Sequence, residues 1–174
     1  RSDMILTELM GYARLSEGRV EKIDVKQELK DVLVEAFPPD HAFGVKVHEN
    51  MSGILPSLMM QRAHLREIML NLLVNAREAA GKSGSVAVSC EAAPNYSIEF
   101  RVKDSGSGVP ADQREQIFEA YFTTKEKGTG LGLTIVKQNT ELYGGEIRME
   151  SELGKGTEFI LIFPTRALLQ DAMS

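Results

Sequence analysis

Hydrophobic positions along this chain recur at a spacing near 3.6 in some stretches and near 2 in others, and the order of these stretches predicts the elements. Residues 1–16 place Ile5, Leu9, Tyr12 and Ala13 on one helical stripe that fades at Gly18, which reads as the tail of a longer helix. RVEKIDV, 19–25, alternates like an edge strand, and Asp24 stands where an N-cap would open a helix over 25–37, stopped by Pro38-Pro39. Short strands are expected near 43–49 and 54–59. The strongest helix runs from about Gln61 to Ala80, with Leu65, Ile68, Met69, Leu72, Leu73, Ala76 and Ala80 on one face and Gly81 and Gly84 ending it. Alternating runs at 85–92 and 96–103, joined by APNY, predict an antiparallel hairpin. Pro110 opens a short helix to Phe118, a polar stretch follows over 119–128, and a helix from about Thr129 to Tyr143 ends at Gly144-Gly145. EIRMES and TEFILIFP form a final hairpin about LGKG. Strands and helices without strict βαβ alternation predict an α+β fold: a two-layer α/β sandwich with a mixed, mostly antiparallel sheet and helices on one face.

With 174 residues, 43% of them hydrophobic, the chain suffices for a single core that buries roughly 70% of the unfolded surface. The formal charge of -5 offers no basic stripe for nucleic acid, so any phosphate contact must be local. Cys90, the single cysteine, lies in a strand-like run and reads as an inert structural thiol in a reducing compartment. No apolar run reaches the ~20 residues of a membrane span. The chain begins at Arg1 rather than Met and reads as a fragment, so any membrane contact is expected only through upstream segments.

Chemistry is suggested in several places. Asn71 and Asn75 share one stripe of the long helix, bordering its apolar face, although helix interiors disfavour Asn. One reading is a polar flank bonded to a neighbouring loop; the other is neutral amide ligands for Mg²⁺ that already carries phosphate oxygens. DSGSGVP, 104–110, sets Asp104 at the end of a strand before Gly106 and Gly108. It is either a simple Asx turn or a carboxylate beneath a flat ligand. Its partial match to a dinucleotide fingerprint through Ala111 lacks the βαβ context and is broken by Pro110. GTGLGL, 128–133, would place backbone N–H groups at a helix start, where phosphates bind. It is no dinucleotide loop, which would need Gly or Ala at Leu133 or Ile135, and no P-loop, which would need Gly at Leu133 and Lys at Thr134. Ahead of it, Phe118, Tyr121 and Phe122 either plug a loop base or border a ligand, and Lys125 and Lys127 either face solvent or cover a triphosphate. In LGKGTEF, Thr157 lies in a hairpin turn and would point into any pocket that the sheet closes.

In order, NLLVNA (71–76), DSGSG (104–108), IFEAYF (117–122), GTGLGL (128–133) and GKGTEF (154–159) resemble the N, G1, F and G2 boxes and terminal hairpin of bacterial sensor histidine kinases. These share an ATPase superfamily with DNA gyrase, the large heat-shock chaperones and mismatch-repair proteins. The resemblance spans about residues 20 to 165. It implies ATP and Mg²⁺ as cofactors, with Asn75 on the metal and Asn71 supporting the phosphate end. It further implies that Asp104 accepts from the adenine amino group, that Gly106 and Gly108 admit the ring, and that Thr157 completes the base pocket. Lys125, Gly128, Thr129, Gly130, Leu131 and Gly132 would meet the phosphates, and Ala120 to Lys127 would be a lid that orders on nucleotide. Residues 1–18 would end a dimerisation and phosphoacceptor hairpin, 19–166 would be the catalytic domain and 167–174 a tail.

His41, His48 and His64 lack the acceptor's context, so the acceptor histidine is expected upstream, in a cytoplasmic homodimer that serves a response-regulator aspartate. Many relatives have Asp where Gln61 stands and Lys where Glu78 stands, which leaves Lys125, Lys127 or Arg77 as phosphate partners. NAREAA and the short lid resemble the nitrogen-regulator type. A gyrase-like hydrolase would need Glu at Asn71, because an amide is no base. A protein-serine kinase and a non-catalytic nucleotide sensor are the other rivals. The hairpin-like residues 1–16 weigh against the former, and the intact Asn75, Asp104 and glycine boxes against the latter.

Overall fold

A computed structural model describes residues 18–40, 43–51, 53–119 and 132–165. Strand β1 (Val20–Ile23) leads to helix α1 (Val25–Ala36), where the Asp24 carboxylate accepts from the Gln27 N–H at 3.3 Å. Such a cap satisfies one of the orphan donors of the first turn. Strands β2 (Lys46–Asn50) and β3 (Leu58–Gln61) precede the long helix α2 (Arg62–Ala80). Then come β4 (Ser85–Ala93), β5 (Ser97–Asp104), α3 (Gly132–Leu142), β6 (Glu146–Glu152) and β7 (Gly156–Pro164).

The main sheet has the order β2-β4-β5-β7-β6, parallel between β2 and β4 and antiparallel elsewhere. Its inward face carries Val86, Val88, Cys90, Ile98, Phe100, Val102, Phe159 and Leu161 against Leu65, Ile68, Met69, Leu72, Leu73 and Ala76 of α2. Burying each large side chain contributes roughly 1.5–3 kcal/mol, so this interface dominates the fold. The outward face alternates to Ser89, Arg101 and Arg148, which are partly or fully exposed. The α+β two-layer expectation therefore matches the architecture.

Two local expectations change. The strand at 19–25 is no edge of the main sheet: β1 pairs antiparallel with β3 in a separate two-stranded sheet. That sheet continues the main sheet's end through the Met59 N–H, which donates to Thr165 O at 3.1 Å. The helix expected over 110–118 is instead a pair of short 3₁₀ turns, Ala111–Gln113 and Gln116–Phe118. Only Ile117 there is buried, and without an apolar stripe a full α-helix gains nothing from packing. Residues 1–17, including the expected hairpin helix, lie outside the described residues.

Candidate functional site

Asp104 ends β5, Thr157 pairs with it on β7, and Ser151 pairs with Thr157 on β6. Pleating sends directly opposed residues to the same face, so the three form one polar row at the end of an otherwise apolar inner surface. Asp104 is only 3% exposed, and its Oδ1 accepts from the Gly106 N–H at 2.8 Å. Burial pushes the Asp104 carboxyl above its ordinary 3.8, while backbone N–H groups of Gly106 and Thr157 oppose the rise. No cationic partner among the described residues enters that balance, so the carboxylate is a buried acceptor held by neutral donors.

The turn after Asp104 is built by close approach. A Cβ on Gly106 would lie 2.5 Å from Ala79 O, which presses this loop onto the end of α2. Gly156, at φ +114°, passes so near Asp104 that a Cβ would sit 1.9 Å from its carbonyl oxygen. The loop is fastened to the β6–β7 turn by the Gly154 N–H donating to Ser107 O at 2.8 Å, and Gly108 passes over the Glu152 carbonyl.

At the other end of the site, a Cβ on Gly132 would come within 3.1 Å of Asn71 Oδ1, so the first residue of α3 abuts the long helix there. Asn71 donates its amide to Glu67 O at 2.8 Å, which turns Oδ1 toward α3. Asn75 is half-buried one turn further along and has no hydrogen-bond partner among the described residues. Asn71, Asn75 and Ala79 thus make a stripe of about 12 Å from the start of α3 to the turn after Asp104.

Helix α3 is anchored at both ends. Thr134 Oγ1 donates to Phe118 O at 2.9 Å, and the Phe118 ring stacks edge-on against Phe159 at 6.1 Å. Phe118 therefore packs against the edge of the core. Tyr143, just past α3, accepts from the Gln61 N–H at 3.2 Å and lies 2.5 Å from His64 Nδ1. Burial raises its hydroxyl to about 12. The side chain of Gln61 itself makes no cap hydrogen bond to the first turn of α2.

Asn71, Asn75, Asp104, Gly106, Gly108, Gly132 and Thr157 therefore lie around one region, between α2, the start of α3 and the adjoining ends of β5 and β7. Arg77 is not: it donates to Ala36 O and lies over the Phe43 ring at 4.0 Å, on the α1 side, which removes it as a phosphate partner. Lys125, Lys127, Gly128, Thr129, Gly130 and Leu131 fall outside the described residues, as does the expected lid. Ser151 went unrecognised in the sequence. The available signal was its parity with Ile147 and Met149, which puts a hydroxyl in an inward position.

A family model described as histidine kinase-, DNA gyrase B- and HSP90-like ATPase matches residues 60–167, the stretch that carries every one of these groups. The chain belongs to this ATPase family. Sensor histidine kinase ZraS of Salmonella typhimurium is 42% identical over 171 residues, which cover 98% of this chain and 37% of that protein. Full-length ShkA in complex with AMPPNP matches with a TM-score of 0.80 and 32% identity, over 94% of this chain and 36% of that one. The catalytic domain of histidine kinase ThkA, in a nucleotide-free form, gives 0.76 and 26%, over 84% of this chain and 96% of that domain. This ATPase domain is thus of the sensor-histidine-kinase kind, and it spans 37% of the length of the ZraS relatives that it matches. No helix among the described residues is long and apolar enough to cross a membrane.

Proposed function

We propose that this domain binds Mg²⁺-ATP along a trough between α2, the start of α3 and the ends of β5 and β7, and passes the γ-phosphoryl group to a histidine outside the described residues. The buried Asp104 carboxylate carries the reading. The Gly106 and Thr157 backbone N–H groups take part of its acceptor capacity, and the lone pairs left over suit an exocyclic amine such as that of adenine. Thr157 completes the base end, and Gly106 and Gly108, by letting the turn pack closely on Ala79 and Glu152, would set the backbone against which the ring lies. Asn75, half-buried and unpartnered among the described residues, would suit a hard cation whose remaining ligands come from phosphate and water, because no group of three or more His, Cys, Asp or Glu capable of holding a metal occurs among the described residues. Asn71 supports the phosphate end beside Gly132. Lys125 and Gly128, Thr129, Gly130 and Leu131 complete the phosphate contacts in this reading.

In the transfer, an imidazole nitrogen of the acceptor bonds to the γ-phosphorus while the bond to the bridging oxygen breaks and ADP leaves. The bound cation would neutralise charge on the phosphate oxygens. The domain's own share is to position and to exclude water, so it needs no general base. His64 is buried against Tyr143 and His48 lies on β2, so neither faces the trough. In the intact cytoplasmic homodimer, joined through a helical hairpin that residues 1–18 would end, a response-regulator aspartate then takes the phosphoryl group.

Calorimetry with ATP and ADP, with and without Mg²⁺, tests the binding step. Tight, Mg²⁺-assisted ATP binding is expected, and absence of both nucleotides from the titration sinks the reading. In the full-length dimer the label from γ-labelled ATP should be acid-labile. Acid-stable label on a partner would instead support a serine kinase.

A further inference from the structure

Ser151 has a position that the proposed ATP site leaves unused. Its Oγ meets the Val109 N–H at 2.7 Å, Gly156 O at 3.1 Å and Thr157 Oγ1 at 2.9 Å. A hydroxyl has one proton and two lone pairs. The Val109 N–H can only donate, so it takes a lone pair. The Gly156 carbonyl can only accept, so it takes the proton. The Thr157 hydroxyl must then donate to the remaining lone pair, and all three contacts are hydrogen bonds. If the Ser151 proton turned to Thr157 instead, Gly156 O would face Oγ with no proton between them.

We infer that Ser151 is a positioning residue that fixes the Thr157 hydroxyl as an acceptor, so that the row Asp104–Thr157 offers a purine acceptors only and thereby selects an amino over an oxo group at C6. The inference rests on the proposed ATP site. Asp104 and Thr157 are cross-strand partners, and both side chains stand on the inward face. An amino group at C6 supplies two N–H donors to such a pair, directly or through a water. An oxo group supplies lone pairs that find no donor, and a buried polar group without its complement costs the ligand affinity. Removing the Ser151 hydroxyl deletes the acceptor of the Thr157 proton. Thr157 can then rotate and donate, and the discrimination falls.

ATP and inosine triphosphate share the triphosphate and ribose and differ in the C6 group and the N1 proton, so their affinity ratio reads the base end alone. Competition binding should show wild type preferring ATP, and Ser151→Ala should reduce the ratio by about tenfold, the worth of one hydrogen bond. Ser151→Thr, which keeps the hydroxyl, should retain the ratio. Ser151→Ala combined with Thr157→Val should match Thr157→Val alone, because Ser151 acts through Thr157. Should Ser151→Ala not fold, Ser151→Cys fills the space with a weak donor and acceptor and should lower the ratio in the same direction. A variant that weakens both nucleotides equally, or effects that add in the double variant, would overturn the inference and leave the ATP site standing. Wild type that binds neither nucleotide overturns both.

Discussion

Replacing Asp104 by Asn separates what this residue does for the ligand from what it does for the fold. An Asn in the same rotamer keeps one oxygen to accept the Gly106 N–H, which is now 2.8 Å from Oδ1, so the turn survives. The second carboxylate oxygen becomes an NH₂ that faces the ligand's amine, donor against donor. A hydrogen bond to a charged acceptor contributes about 1.5–3 kcal/mol, and two unsatisfied donors add about 1–3 kcal/mol to its loss. ATP affinity should therefore fall by at least about 10²-fold. Stability should move the other way. The carboxyl is held above its ordinary 3.8 by burial, so its charge opposes folding, and a neutral amide removes that cost. Calorimetry and thermal melting of the apo domain together test this: weaker ATP with an unchanged or higher Tm. Wild-type affinity, or a Tm loss in step with the affinity loss, would refute the reasoning by making Asp104 a structural residue or no site residue at all. The same raised carboxyl sets a pH trend. The native state binds the proton more tightly than the unfolded chain, so this group's contribution to stability is greatest at low pH and is lost as pH rises from 3.8 through the raised value. ATP affinity runs oppositely and weakens as the carboxylate protonates. Both trends should vanish in Asp104→Asn.

Gly156→Ala should be severe: at φ +114° its methyl would lie 1.9 Å from Asp104 O, so the end of β5 must shift by about 1 Å. A loss of about 2–5 kcal/mol in urea unfolding is expected from overpacking and backbone strain, and a loss below about 1 kcal/mol contradicts the close approach. Asn139 is fully buried on α3 with both amide atoms unpartnered among the described residues, so Asn139→Leu should stabilise by about 1–3 kcal/mol in the same assay. Destabilisation would mean that the amide is bonded, through an internal water. Cys90 is buried and its thiol pushed up to about 12, so a disulfide reagent at pH 8 should label it only as fast as the domain unfolds. Rapid labelling of the native domain would contradict that burial.

Much of the fold is legible because it is written in local chemistry. Asp24 and Pro38-Pro39 delimit α1 through a cap and a missing donor, and Gly81 closes α2 at φ +66°. The apolar face of α2 is read correctly from Leu65 to Ala76 because helical period and burial coincide there. Where local signals are thin the reading slips. The 110–118 segment lacks a stripe to decide between α and 3₁₀, and β1 carries the alternation of an edge strand without any mark of which sheet it joins.

The candidate site divides along the same line. By itself the sequence determined which residue types occur in which order, from Asn71 and Asn75 through Asp104 and its glycines to Thr157, because identity and spacing set both the chemistry and the local turns. Only the tertiary structure decided that Ser151 joins Asp104 and Thr157 in one row, that Gly106 presses on Ala79, and that Arg77 turns away to Ala36 and Phe43. Strand register and helix contact are pairings between distant segments. They are fixed by the packing of the whole core, to which each residue's local preferences contribute only a part.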